Sequence, residues 1–330
     1  MRKIINGIGF CRRELYDCTQ QALDVVLRFY GYKVEDILFD EWRFIYRRGD
    51  AGSVQIFPGP LDIGQKFFDY GILLLFKRAV DAKEAWSAMK HRIDEGKPIP
   101  ALADTYYLDY YSPENRHHAP HYVILVGYDE EQETVHIVDP SPWQLFKGDI
   151  PLGDFESALN SPYFHNNRNH WFEFEFPLQP VSHAPDALRA KIRRSVKAML
   201  EGGKGANTFW GMEGIRTFAQ DVEGWASMER EVLIGHMKAC FDDVKKVACR
   251  LDGHAHFLAS ASEILESPDL KEISFEVGKL AQSWFLPGNM FFKGSKKEPF
   301  AMLPRIHHRL LDIADREEQV LIALKQAIRT

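Results

Sequence analysis

Between residues 97 and 176 short apolar runs alternate with Pro, Gly and acidic turns, and "KPIPALADTYY", "PHYVILVGYD", "ETVHIVDP", "WQLFKGD" and "HWFEFEFP" each read as a strand. Two helical patterns precede them. One follows Cys18 and puts Ala22, Leu23, Val26, Leu27 and Tyr30 on a single face; the other is "DAKEAWSAMKHRIDEGK", closed by Gly96 with Pro98 beyond. After a Pro-bearing connection at about 177–186 the period turns helical, through "DALRAKIRRSVKAMLEGG", "GWASMEREVLIGHMKACFDDVKKVACRL", "HFLASASEILES" and "LPRIHHRLLDIADREEQVLIALKQAI". The pattern predicts an α+β N-terminal domain over residues 1–180 and a mainly α-helical domain over 181–330.

Length agrees with this division, since 330 residues with 45% hydrophobic content supply core for two domains more readily than for one. Nothing approaches the eighteen or so uninterrupted apolar residues of a membrane span, and the start "MRKIINGIGFCRRELYD" has too short an apolar stretch for a signal peptide. The expected setting is cytoplasmic, away from the membrane. Residues 1–180 carry a net charge of −8 and residues 181–330 one of +2, so neither half has the basic surplus of a nucleic-acid binder. The basic clusters Arg189–Lys197 and Lys293–Lys297 read as solvated faces, with docking of a small acidic protein as the alternative. Four cysteines, Cys11, Cys18, Cys240 and Cys249, are too few for a disulfide framework and read as reduced thiols.

Candidate chemistry starts at "ELYDCTQQALDVVLRFYGY". Asp17 is an N-cap type, which puts Cys18 in the first turn of the following helix, where free N–H groups and the helix dipole stabilise a thiolate. A thiolate nucleophile needs a base, and the base needs an orienting group. His121 opens the strand "HYVILVGYD" and Asp139 ends its return strand "TVHIVDP", so an antiparallel pairing sets the two side by side at one end of a hairpin. The order Cys18, His121, Asp139 is that of a nucleophile, a base and an orienting carboxylate.

These motifs resemble the papain-like cysteine peptidase fold, and more sharply the butirosin biosynthesis protein H family. "DCTQQALDVVLRFYGY" is similar to that family's nucleophile helix and "GANTFWGMEGIRTFAQDV" to a segment of its C-terminal domain. The resemblance implies a papain-like catalytic domain followed by a helical domain. It implies a cysteine-dependent acyltransferase of antibiotic biosynthesis, passing an aminoacyl group from an acyl carrier protein thioester, borne on a phosphopantetheine arm, to a small-molecule amine. Cys18, His121 and Asp139 match its Cys, His and Asp. Thioester chemistry requires no metal or other cofactor, and none is expected.

One position departs from the papain-like pattern, which places a Gln several residues before the Cys to complete the oxyanion hole; here that region reads "CRRELYDC". The Cys18 N–H supplies one donor. Candidates for the second are Arg12, Arg13 and Tyr16 upstream, or Gln20 and Gln21. A peptidase or amide hydrolase would use the same three residues with water, and a non-catalytic binding protein would keep the frame without the chemistry. "RHHAPH" and "DGHAH" read as polar positions rather than metal sites, and "FPGPLDIG" as a connector or a channel wall. "SWFLPGNMFFKGSKK" reads as an interdomain loop, with phosphopantetheine contact as the alternative. The sequence leaves the oligomeric state open, a homo-oligomer included.

Overall fold

A computed structural model of the chain describes residues 1–10, 16–49, 53–59, 63–112, 114, 116–142, 144–176 and 184–329. It divides into two compact units, one of residues 1–34 with 64–181 and the other of residues 35–63 with 182–330.

From the N-terminus, β1 (Arg2–Ile4) and α1 (Cys18–Phe29) open the first unit; α2 (Val34–Leu38), β2 (Ile45–Arg48) and β3 (Val54–Phe57) lead into the second. The chain returns with α3 (Ile63–Asp69), β4 (Leu73–Arg78), α4 (Ala82–Asp94), β5 (Ile99–Asp104), β6 (Pro120–Asp129), β7 (Thr134–Asp139), β8 (Phe146–Pro151), α5 (Leu152–Leu159) and β9 (His170–Glu175). Every pairing in the sheet is antiparallel, in the order β4-β9-β5-β6-β7-β8. The run "HYVILVGY" is buried at every position of β6, as required of a strand covered on both faces. β1 pairs with β6 beyond the end of β5, and Gly127 makes this approach feasible: a Cβ there would sit 2.4 Å from the Lys3 carbonyl oxygen.

The second unit continues with α6 (Pro185–Glu201), β10 (Gly203–Lys204), β11 (Thr208–Trp210), α7 (Gly211–Gly224), α8 (Arg230–Ile264), α9 (Pro268–Lys296) and α10 (Pro299–Ala327). Long helices pack α8 on α9, α9 on α10 and α10 on α7 around Phe218, Phe257, Trp284 and Phe291. A small antiparallel sheet, β10-β11-β2-β3, joins them.

Mixed α/β structure followed by a helical region agrees with the sequence pattern, but three expectations need correction. Residues 35–63 group with 182–330 rather than with 1–180, because β2 pairs with β11 and Trp42, Phe44 and Tyr46 belong to the helical core. "FDDVKKVACRL" and "HFLASASEILES" form one helix, α8, with no break at Gly253, which lies against the Phe39 ring. "SWFLPGNMFFKGSKK" is not a loop: it runs inside α9, where Trp284, Pro287, Gly288 and Phe291 are buried, and tertiary packing overrides the breaking tendency of Pro-Gly. "FPGPLDIG" is described only at its ends, Phe57 closing β3 and Ile63 opening α3.

Candidate functional site

Cys18 is the first residue of α1. Asp17 caps this helix through a reciprocal pair: its carboxylate accepts the Gln20 N–H at 2.8 Å, and the Gln20 side-chain oxygen accepts the Asp17 N–H at 3.2 Å. The apolar face bearing Leu23, Val26 and Leu27 is buried, and α1 packs on β6 and β5. The thiol thus stands at the positive end of a capped helix, where the first-turn N–H groups have no intrahelical acceptor.

His121 is the second residue of β6 and Asp139 the last of β7. The antiparallel register, Ile124 opposite Val138, brings strand start to strand end, and His121 Nε2 lies 2.8 Å from Asp139 Oδ1. With Nε2 so engaged, Nδ1 is the ring nitrogen left for Cys18, the second hydrogen-bond partner of His121. Burial pushes the His121 pKa down, but the hydrogen bonds and charges of Asp139 and Cys18 outweigh it and raise the value to about 10. Imidazolium is therefore the favoured state between these two partners.

Asp139 is fully buried and accepts from four groups. Oδ1 takes the Ser141 N–H at 2.9 Å besides the imidazole, and Oδ2 takes the hydroxyls of Tyr110 at 2.9 Å and Tyr111 at 3.2 Å. Burial first, and then the Asp139 charge, push both phenol pKa values up, so the tyrosines remain donors. Tyr110 is held in turn by stacking on Phe146 at 4.0 Å and by the Gln144 amide on its carbonyl.

The matching family model is described as butirosin biosynthesis protein H, N-terminal, and its match covers residues 17–140. Over these residues, less than half of the chain, the protein is similar to the N-terminal part of butirosin biosynthesis protein H. No curated protein matches the chain. The matched span holds Cys18, His121 and Asp139 as well as residues 35–63, and it ends before the helical stretch from residue 185.

Other expected site residues have local work within this span. The Gln20 side-chain oxygen serves the helix cap, and the buried Gln21 amide donates to the Tyr16 carbonyl at 2.6 Å. Tyr16 is buried. These bonds engage the Gln20 side-chain oxygen and the Gln21 side-chain nitrogen. Arg12, Arg13 and Cys11 lie outside the described residues.

Sequence reasoning missed the donors on Asp139. Their signal is the tyrosine-dense connection "TYYLDYYS" between β5 and β6, which has no period to read. It also missed Tyr122, close enough to Cys18 to feel its charge and bonded through its hydroxyl to His170 Nδ1 at 3.1 Å. A second Asp–His pair was passed over as a polar loop: His118 Nδ1 lies 2.8 Å from the buried Asp104 Oδ2. No cluster with metal-binding composition occurs among the described residues, and no described helix is long and apolar enough to cross a membrane.

Proposed function

We propose that the protein is a cysteine-dependent acyltransferase with a papain-like first unit, using Cys18 as nucleophile, His121 as general base and acid, and Asp139 as the group that orients His121. The donor is an acyl thioester on the phosphopantetheine arm of an acyl carrier protein, and the acceptor is an amine. The similarity to butirosin biosynthesis protein H associates the reading with butirosin-type antibiotic biosynthesis. The observation that carries it is His121 bridging Cys18 and Asp139, with Asp139 fixed by two tyrosines and a backbone N–H.

In the first step Cys18 sulfur attacks the thioester carbonyl; the new C–S bond forms as the donor C–S bond breaks, and His121 returns a proton to the departing thiol. In the second an amine nitrogen attacks the Cys18 thioester, His121 takes a proton from it, and that proton leaves on Cys18 sulfur as the amide forms. The Cys18 N–H, at the head of α1, faces charge developing on the carbonyl oxygen. Thioester exchange is close to balanced and amide formation is downhill, so the sequence of steps needs no nucleotide.

Intact-protein mass spectrometry after mixing with an acyl thioester tests this. The wild type gains the acyl mass, Cys18→Ala does not, and an amine discharges the adduct with amide appearing in equal amount. Discharge by water alone, indifferent to any amine, would point to a hydrolase; no adduct with any thioester would point to a binding protein.

A further inference from the structure

One face of α6 carries Arg193, Val196, Lys197, Leu200 and Glu201 at helical spacings, and the close of α10 adds Lys325, its cap Ile328, and Arg329 at the same spacing. These side chains line a pocket of about 210 Å³ that lies wholly within the second unit. Its floor reaches the core: Val196 and Ile328 are each 2% exposed members of the hydrophobic cluster, and the partly buried Leu200 packs against it. Its rim is cationic. Arg193, Lys197, Lys325 and Arg329 stand against the single acid Glu201, a net of +3, whereas residues 181–330 taken whole carry only +2. Positive charge is therefore concentrated here rather than spread over the unit.

The rim cations are poorly answered by the chain itself. Glu201 meets Lys197 at 3.7 Å, but both side chains are largely exposed, at 67% and 71%, where such a pair contributes little. Arg193 Nη2 donates to the Ile328 carbonyl at 2.9 Å, which fixes the guanidinium beside the floor without neutralising it. Among the described residues no carboxylate pairs with Arg193, Lys325 or Arg329. The basic cluster Arg189–Lys197, which reads from the sequence as one solvated face, is divided by the fold: Lys191 reaches Asp40 at 3.3 Å, while Arg193 and Lys197 turn to the pocket.

We propose that this pocket binds an amphiphilic organic anion, a carboxylate or phosphate monoester head on a short alkyl or aryl body. The inference stands apart from the acyltransferase reading and does not depend on it. Size sets the body. An apolar cavity of about 150 Å³ suffices for benzene, and drug-sized sites start at about 300 Å³, so this pocket suits a ring or a short chain. Covering Val196, Leu200 and Ile328 removes apolar surface from water, which is favourable in proportion to the area. Charge sets the head. Four like charges around one concavity repel one another, and a single anionic group draws on all of them at once. A neutral alcohol would leave the rim unanswered, inorganic phosphate would leave the floor uncovered, and an ammonium head would meet the net +3.

Calorimetric titration of the full chain with octanoate and with octyl phosphate, each below its micelle-forming concentration, tests the chemistry. One saturable site per chain is expected for at least one of them, weakened by added salt. Octanol, inorganic phosphate and octylammonium should each bind at least tenfold more weakly. The tighter of the two anions names the head. Binding of neither, or octanol equal to both, overturns the proposal. Location is read separately. Lys325→Ala/Arg329→Ala removes two cations that hold no carboxylate, so its melting temperature should match the wild type while its affinity falls at least tenfold. Arg305→Ala, an exposed cation of α10 outside the pocket lining, should keep the wild-type affinity. In NMR the isotope-labelled Ile328 methyl, assigned by its loss in Ile328→Val, should shift saturably with the calorimetric midpoint. Unchanged affinity in the double variant, or binding that leaves the Ile328 methyl in place, overturns the site. If the double variant melts early, the Ile328 methyl of the wild type decides the location by itself.

Discussion

His121 in the sheet-bearing unit and His254 in the helical unit are both buried, 8% and 1% exposed, yet they are driven in opposite directions. His254 lies on α8, donates Nδ1–H to the Phe39 carbonyl at 2.7 Å, and packs against Trp42 and Phe257. Burial dominates there and lowers its pKa to about 4, with the Phe39 carbonyl and Asp40 opposing and Arg250 reinforcing. His121 suffers the same burial, but its partners are a carboxylate and a thiol, and its pKa rises to about 10. A carbonyl can be satisfied by neutral imidazole, whereas a carboxylate and a sulfur able to carry charge both reward the cation. What separates the two buried histidines is the identity of their partners.

Removing the carboxylate is the most severe way to break that contrast. In Asp139→Asn the hydroxyls of Tyr110 and Tyr111 keep an acceptor, but His121 loses its counter-charge and is free to take the wrong tautomer. Alkylation of Cys18 by iodoacetamide at pH 7 should slow by about a hundredfold or more, as follows when a histidine loses the carboxylate that orients it. A rate within twofold of wild type would mean that Asp139 does not govern the thiol.

The two histidines also predict opposite pH windows for stability. The raised His121 value means its contribution is fully present below about 6.5 and lost as pH climbs towards about 10. The depressed His254 value means that stability is lost as pH falls from about 6.5 towards about 4, a drop of about 3 kcal/mol at 1.4 kcal/mol per unit. Glu317 masks this second effect. It is buried on α10, where burial pushes its carboxyl up to about 7 against hydrogen bonds from Trp284 and Trp42, so its stabilisation is present below about 4.5 and lost as pH rises through about 7. The two slopes oppose one another between about 4.5 and 6.5. Glu317→Gln should uncover the His254 slope, with the urea midpoint falling more steeply on acidification than in wild type. Parallel pH profiles for the two proteins would show that Glu317 does not titrate in that range.

A milder perturbation asks how finely the His121 arrangement depends on its support. Tyr110→Phe and Tyr111→Phe each delete one hydroxyl donor from Asp139 Oδ2, a bond to a charged group worth about 1.5 kcal/mol. Each should slow Cys18 acylation by about tenfold, with Tyr110 the larger at its shorter distance. The double variant should fall short of the product of the two if the remaining donors on Asp139 tighten in compensation. No effect in either single variant would confine the tyrosines to packing.

Much of this was legible because it is local. The apolar runs of β5, β6, β7 and β9 announce strands, and the short return between β6 and β7 alone brings His121 beside Asp139. The Asp17 cap is likewise readable three residues from Gln20. What the chain hides depends on partners far away in sequence. Residues 35–63 read as part of the first domain until β2 meets β11, more than 150 residues later. Pro287-Gly288 looks like a loop until the core around Trp284 and Phe291 pays its cost. Tyr110, Tyr111 and His118 sit in a connection with no periodicity, and their roles follow from where Asp139 and Asp104 are buried rather than from any spacing of their own.

The smallest predicted effect bears on the missing oxyanion donor. Gln20 has the right residue type and lies two positions from Cys18, so a role in stabilising the tetrahedral intermediate is the natural suspicion. Its side-chain oxygen instead accepts the Asp17 N–H, half of a reciprocal cap. The two roles differ widely in magnitude. Loss of an oxyanion donor costs about a hundredfold or more in rate, whereas loss of the minor half of a capping box costs about 0.5–1 kcal/mol of helix stability. Gln20→Ala should therefore lower the melting temperature slightly and slow acylation by no more than about threefold, because Asp17 still holds the Gln20 N–H and the head of α1 remains in place. A hundredfold loss with an unchanged melting temperature would assign Gln20 to the reacting oxygen after all. It would also extend to this glutamine the rule drawn from the two histidines, that partners at the site outweigh residue type.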